Sequence, residues 1–280
     1  MKIAATVEEI RSAVKAWKKE GLSVGFVPTM GYLHEGHQSL MQKAVSENDR
    51  VVVSIFVNPM QFGPSEDLES YPRDLEKDAS LCEASGVDLI YHPELKEMYH
   101  PEFSSFVDMH GLTESLCGKS RPAHFRGVCT VVTKLFNIVQ PDCAYFGQKD
   151  AQQLAVIQQM VRDLNLDVTV IGCPIIREAD GLAKSSRNSY LSADERKAAL
   201  VLSQALEVAK QLLANGEQNA AKIRNAISET IQAEPLAKVD YVELVDARTL
   251  QQVDSVERPV LVALAVYIGK TRLIDNFITE

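Results

Sequence analysis

Val24-Gly25-Phe26-Val27-Pro28-Thr29-Met30-Gly31-Tyr32-Leu33-His34-Glu35-Gly36-His37 is the stretch that decides how this chain is read. Val24 to Val27 is a short apolar run of the kind buried in a parallel sheet. Gln38 to Val45 then places apolar residues at helical spacing. Two histidines three residues apart therefore fall on the first turn of a helix that directly follows a buried strand. Exposed backbone N–H groups and the positive end of the helix dipole are expected there, which makes an anion site. Paired imidazoles beside it suit a phosphate chain that gains charge during a reaction. A capped helix with bystander histidines would show the same pattern, so the rest of the chain has to decide.

Working outward, Val7, Ile10, Val14 and Trp17 predict a helix over 7–19, stopped by Gly21. Val51 to Val57 is continuous and β-branched, as in a strand buried on both faces. A helix over Pro72–Ser85 and a strand over Asp88–Tyr91 follow. This β-α-β-α-β order with short connections predicts an α/β fold, a doubly wound parallel sheet of Rossmann type. Ser105–Asp108 is a short strand candidate. Ser115 to Arg126 carries Lys119, Arg121, His124 and Arg126 and reads as a mobile loop over a site. Val128–Val139 is an apolar helix, Ala144–Phe146 a strand, Ala151–Leu164 a helix and Val168–Cys173 a strand. Beyond Ser192 the pattern changes: a capping box, Ser192-Ala193-Asp194-Glu195, opens one long helix to about Leu213. A helix over 221–232 and strands over 239–245, 259–267 and 272–277 complete a smaller α+β domain. The expected division is residues 1–176 and 177–280, the smaller domain closing over the active site.

With 280 residues, the chain is long enough for a sizeable core and two domains. A formal charge of −9 argues against nucleic acid as a partner, since phosphate neutralisation needs clustered Lys and Arg. A small anionic substrate needs only a few local cations. Cys82, Cys117, Cys129, Cys143 and Cys173 are scattered without C-x-x-C spacing, so reduced cytoplasmic thiols are expected rather than zinc or disulfides. No apolar stretch reaches the ~18 residues of a membrane span. A basic-then-apolar leader is not seen either.

Three further polar segments follow strands. Asn58-Pro59-Met60-Gln61 comes after the second, where amides suit a hydroxy acid, although Asn-Pro is also a turn former. Gly147-Gln148-Lys149-Asp150 comes after the fourth: Gly147 admits a ligand to the backbone, Lys149 neutralises phosphate, and Asp150 accepts from ribose or caps the helix. Gln153 lies one turn on. Asp180 to Asn188 follows the last strand of the sheet, and Lys184 and Arg187 bracket Ser185 and Ser186 in a loop able to close over triphosphate. In an open parallel sheet ligands bind outside the carboxyl ends of the strands. The joint occurrence of these segments points to a nucleotide site.

At this level of detail the residues resemble a known family. His34-Glu35-Gly36-His37 is similar to the first signature of the HIGH nucleotidyltransferases, and Lys184–Asn188 to their mobile KMSKS-type loop. Together with VVVSIFVNPMQF, YPRDLEKD, RPAHFRGV, YFGQKDAQQL, DGLAKSSRNSYL and Arg272-Leu273-Ile274-Asp275-Asn276, the chain resembles the pantoate–β-alanine ligase family over effectively its whole length. That resemblance implies two steps: ATP and (R)-pantoate give pantoyl adenylate and pyrophosphate, then β-alanine gives pantothenate and AMP. It further implies that Met30, Gly31, Tyr32, Leu33, His34, Glu35, Gly36 and His37 line ATP, with both histidines against phosphate. Gly147, Gln148, Lys149, Asp150, Ile176, Lys184, Ser185, Ser186 and Arg187 would bind ATP as well. Catalytic roles would fall on His34, His37, Lys149, Ser185, Ser186 and Arg187. Gln61, Gln153 and, as an auxiliary contact, Asn58 would hold pantoate, and Gln61 would also shape the β-alanine site. His124 and Arg126 are weaker candidates. Gln148 stands where the family usually has an acidic residue, and Lys184 where it often has an apolar one. Mg²⁺ is expected with ATP, held mainly through phosphate oxygens and water, with no metal ligands from the protein. A homodimer is implied. Two readings compete: a cytidylyl- or adenylyltransferase acting on a phosphorylated substrate, which shares the first signature, and a tRNA-linked or nucleotide-sensing binding module without turnover.

Overall fold

A computed structural model of the chain describes residues 1–64 and 66–279. Its strands and helices alternate through the first half: β1 (Lys2–Ala4), α1 (Val7–Lys19), β2 (Val24–Thr29), α2 (Glu35–Glu47), β3 (Arg50–Ile55), α3 (Leu75–Ala84), β4 (Leu89–Tyr91) and the short α4 (Leu95–Met98). Then come α5 (Leu116–Ser120), α6 (His124–Val139), β5 (Cys143–Gly147), α7 (Ala151–Asp163) and β6 (Thr169–Cys173). The remainder is α8 (Ala193–Ala198), α9 (Val201–Ala214), α10 (Ala220–Gln232), β7 (Ala237–Asp246), β8 (Val260–Ile268) and β9 (Thr271–Ile278). These make two compact units. The first comprises Met1–His110, Arg121–Gln148 and Gln153–Pro174; the second comprises Gly111–Ser120, Lys149–Gln152 and Ile175–Glu280. Two short segments of the N-terminal half thus belong with the C-terminal one.

The first unit holds a six-stranded parallel sheet in the order β1-β4-β3-β2-β5-β6. β2 pairs with β3 from Val24 against Arg50 to Thr29 against Ile55, and on its other side with β5. Strand order therefore runs outward in one direction from β2 through β3 and β4, and in the other through β5 and β6. The switch lies between β2 and β5, the place where such sheets bind ligands. Both strands end there in candidate segments. α2 lays Leu40, Met41 and Ala44 on the sheet at helical spacing, where they meet Val27, Val53 and Ile90 in one buried cluster.

Four features differ from the sequence reading. Lys2–Ala4 joins the sheet edge beside β4, a strand too short to show periodicity. Ser105–Asp108 forms no strand; the Val107 amide donates to Thr130 Oγ1 (3.0 Å) rather than to a sheet neighbour. The long helix expected from Ser192 breaks at Ala199-Leu200, where the amides of Leu200 and Leu202 reach back three residues, to Lys197 and Ala199. Its capping box is present, Ser192 with Glu195. The segment read as a loop over 115–126 contains α5 and the start of α6.

The second unit is built on the antiparallel sheet β7-β8-β9. α9 and α10 cover it through Leu202, Leu206, Ile223 and Ile227, which pack with Leu244, Val262 and Leu264.

Candidate active site

The turn between β2 and α2 needs two left-handed residues in succession, Gly31 at φ 87° and Tyr32 at φ 51°. Glycine adopts the first without cost; Tyr32 needs outside support. Asp78, on α3 and 1% exposed, supplies it by accepting the Tyr32 N–H at 2.8 Å and the Leu33 N–H at 2.6 Å. Burial pushes the Asp78 carboxyl above the usual range, against the lowering effect of those two amides. Lys77, its neighbour on α3, sits over the Tyr32 ring at 5.0 Å. Gly31 itself donates to Thr29 Oγ1 at 3.1 Å.

His34 is the N-cap of α2. Its Nδ1 accepts the Gly36 N–H (3.1 Å), and the His37 Nδ1 accepts the His34 N–H (3.3 Å). This is a capping box made of two imidazoles, with ring centroids 4.2 Å apart. The amides expected to face an anion are therefore taken within the protein: Gly31, Tyr32, Leu33, His34 and Gly36 all donate to side chains. The physical reason is that an N-terminal turn satisfies its own orphan donors where side-chain acceptors stand within reach. What the turn offers instead is its imidazoles. Because each Nδ1 accepts, each neutral ring carries its proton on Nε2, so both are donors at that atom.

Beyond β3, Asn58 is buried and engaged on every side. Its Nδ2 donates to Gln61 Oε1 (3.0 Å) and to the Gly127 carbonyl (3.2 Å), while its Oδ1 accepts from Tyr99 Oη (2.8 Å) and the Met60 amide (3.3 Å). Gly127 permits this: a Cβ there would stand 2.3 Å from the Met60 carbonyl oxygen, so only glycine lets α6 approach the 59–61 turn. Gln61 donates Nε2 to Met30 Sδ at 3.2 Å, which ties it to the histidine turn. Its carbonyl accepts from His124 Nδ1 (3.0 Å) and Arg121 Nη2 (3.3 Å). Arg121 also grips Glu66 through Nε (2.8 Å) and Nη2 (2.5 Å). Burial pushes the Glu66 carboxyl up, but the hydrogen bonds and charge of Arg121 outweigh it and hold it below the usual range. Arg126 stacks on Phe106, its guanidinium carbon 4.1 Å from the ring centre. At the end of β5, a Cβ on Gly147 would meet nothing within 4 Å, so the backbone there borders open space.

In the second unit, Ile176 opens a small hairpin. Arg177 bridges Ala183, and the Lys184 amide donates to the Ile176 carbonyl at 2.9 Å. Ser185 then caps a short 3-10 turn (Ser186–Tyr190), its Oγ accepting from the Arg187 amide at 3.3 Å. Asn188 donates to Glu178 Oε1 and to the Ala183 carbonyl, both at 3.1 Å, so the loop is folded back on its own root. Lys149 belongs to this unit, and the Asn276 side chain donates to its carbonyl at 2.8 Å.

Residues 2–278 match the family described as pantoate-beta-alanine ligase. The chain belongs to that family. The ligase is 63% identical to the pantothenate synthetase of Enterococcus faecalis, over 100% of this chain and 99% of that protein. It is 60% identical to the one from Clostridium acetobutylicum, over 99% of each. Among solved structures, the pantothenate synthetase of Thermus thermophilus superposes with a TM-score of 0.94 at 46% identity, covering 99% of both chains. The Francisella tularensis pantoate-beta-alanine ligase, complexed with beta-gamma ATP and beta-alanine, gives 0.81 at 36% identity, over 99% of this chain and 97% of that one. The ligase joins pantoate to β-alanine with ATP, through a pantoyl adenylate.

Within the first unit the ligase joins Asn58, Gln61 and Met30 in one hydrogen-bonded set and His34 and His37 in a second, with Met30 four residues before His34 on the same turn. Gln153 stands on the first turn of α7. In the second unit it brings Lys149 and Ser185 to the wall of one cavity of about 10 Å³, with Asn188 and Asp275. Three supporting residues escaped sequence reasoning. Asp78 sits inside the YPRDLEKD motif, Tyr99 beside an unremarkable proline-rich stretch, and Arg177 ahead of the glycine-started loop. Only Asp78 carried a signal, a buried helical position occupied by a carboxylate.

Proposed function

We propose that in this ligase the paired Nε2–H groups of His34 and His37 stand against the ATP phosphates, and that Lys149, Lys184, Ser185, Ser186 and Arg187 complete their neutralisation. The capping box of two imidazoles carries this reading. It holds both rings as donors without requiring either to be charged, so they stabilise added negative charge on the α-phosphorus when the pantoate carboxylate attacks. Proton donation by His37 is not needed, since pyrophosphate leaves without one.

Met30 to Leu33, Glu35 and Gly36 shape the nucleotide side, with Gly147, Gln148, Asp150 and Ile176; Asp150 takes the ribose hydroxyls. Gln61 and Gln153 hold pantoate, and Gln61 borders β-alanine. Asn58 serves pantoate by fixing Gln61, because its own polar atoms already have protein partners. His124 and Arg121 hold the Gln61 carbonyl in the same sense. Mg²⁺ arrives with ATP as part of the substrate; among the described residues no three His, Cys, Asp or Glu side chains stand close enough together to hold a metal.

A homodimer in the cytoplasm completes the reading. All five cysteines are free thiols, and burial pushes Cys82 and Cys129 up to about 12, which keeps them as inert –SH. Among the described residues, no helix is long and apolar enough to cross a membrane. The deciding assay is exchange of labelled pyrophosphate into ATP. It is expected only when pantoate is present and without β-alanine; exchange driven by a phosphorylated acceptor instead would assign a different nucleotidyl transfer.

A further inference from the structure

Arg272-Leu273-Ile274-Asp275-Asn276 has so far no part in the chemistry, yet three of its side chains each fasten a different excursion of the chain to β9. Arg272 donates Nε (3.0 Å) and Nη2 (2.8 Å) to Asp240 Oδ2, and that carboxylate accepts Ser120 Oγ from the end of α5. Asp275, 1% exposed, takes the Arg177 guanidinium on both oxygens, at 2.6 and 2.9 Å. Arg177 Nη1 also donates to the Gly181 carbonyl at 3.1 Å, so one guanidinium closes the hairpin that leads into Lys184–Arg187. Asn276, 5% exposed, donates Nδ2 to the Lys149 carbonyl. Its backbone N–H donates to Asp275 Oδ1 at 2.8 Å, which ties the Asp275 carboxylate to the backbone of the next residue.

Adjacent residues of a strand project to opposite faces. Asp275 and Asn276 can therefore reach two separate segments from one rigid piece of backbone, itself paired to β8 from Ile278 back to Thr271. Lys149 and Ser185, 36 positions apart in sequence numbering, line the same small cavity with Asp275. Stabilisation of developing charge depends on donors that are already in place, and a misplacement of ~1 Å costs on the order of 10² in rate.

We propose that Asp275 and Asn276 are positioning residues for adenylation: Asn276 sets Lys149 through its carbonyl, and Asp275, through Arg177, sets the root of the Lys184–Arg187 loop. The inference rests on the assignment of Lys149 and Ser185–Arg187 to phosphate made above. An asparagine is required at 276 because a carbonyl oxygen needs a donor, which aspartate lacks.

The test is a double-mutant cycle on the full-length ligase, read by pantoate-dependent pyrophosphate exchange. Asn276→Ala is expected to lower kcat about tenfold with KM for pantoate within about twofold, and Asn276→Asp to lower it further. In a Lys149→Ala background the same Asn276→Ala change is expected to cost less than about twofold, because its route of action is gone. The dissociation constant of β,γ-methylene-ATP, measured by calorimetry, closes the cycle where turnover is too slow to follow. Arg177→Lys, which swaps a two-pronged donor for a point charge, is cycled against Arg187→Ala in the same way. Equal losses in both backgrounds, or a wild-type kcat in Asn276→Ala, would overturn the proposal. A Lys149→Ala ligase with near-wild-type exchange would instead sink the phosphate assignment on which the inference rests, and the binding cycle would still judge the brace.

Discussion

The histidine turn and the Lys184–Asn188 loop carry comparable candidate chemistry but are held by different forces. The turn is held mostly through its own backbone: successive amides donate to Thr29, Asp78, His37 and His34. The loop is held at its root by charge, through Arg177 with Asp275 and through Arg196, which donates to Glu178 (2.8 Å) and Asp180 (2.7 Å). Backbone capping fixes a short segment tightly whatever the ionic strength. The loop depends in addition on Asn188, which ties its far end back to Glu178 and the Ala183 carbonyl.

The largest effect should come from removing a group proposed to meet the phosphates. His37→Ala and Lys149→Ala are each expected to cost about three powers of ten in exchange rate, ~4 kcal/mol at ~1.4 kcal/mol per tenfold. Near-normal exchange in either variant would overturn the phosphate role proposed for that residue. Next comes Arg177→Ala, which leaves the buried Asp275 carboxylate without its partner. A stability loss of ~3 kcal/mol in urea unfolding is expected, tempered by the partial exposure of the arginine. An unchanged midpoint would mean the loop is held by something other than charge.

Gly31→Ala tests the turn in the same units. A methyl there would meet Asp78 Oδ2 and Ile55 Cγ2 at 3.0 Å each, on a backbone at φ 87°. About 1–2 kcal/mol of destabilisation is expected, with a larger fall in kcat than Arg177→Ala causes per kcal/mol lost. The smallest effect is the pH dependence of the Arg121–Glu66 pair. Glu66 lies below its ordinary value in the folded state. Its contribution is therefore fully present above the unfolded value of 4.5 and is lost as pH falls through the folded one. The difference in melting temperature between the wild type and Glu66→Gln should shrink as pH drops from 7 toward 3. A constant difference would show that the strap acts through shape alone.

The same contrast explains what was legible in the amino-acid pattern. The strands and helices of the sheet, the position of the turn after β2 and the capping box at Ser192 leave local patterns in the chain, and each could be read from spacing. Lys2–Ala4 was hidden because three residues on a sheet edge show no periodicity, and the break at Ala199-Leu200 because both residues keep helical dihedrals. The supports of the candidate site lay further out of reach. Asp78 meets its amides across 45 and 46 positions, and Arg177 meets Asp275 across 98. No local pattern announces such a pair. His34 and His37 were visible as residues, but the direction of their hydrogen bonds was not, since it depends on backbone amides settling on Nδ1.

That direction has a consequence for inhibitor chemistry. Two rings whose Nδ1 atoms are committed to the backbone present only donors at Nε2, so they read the sign of a ligand's hydrogen bonds as well as its charge. Whatever atom of an inhibitor meets them has to accept. A linker rich in carbonyl or sulfonyl oxygens satisfies both imidazoles, whereas an ammonium or amide N–H set against the same atoms meets two donors and gains nothing.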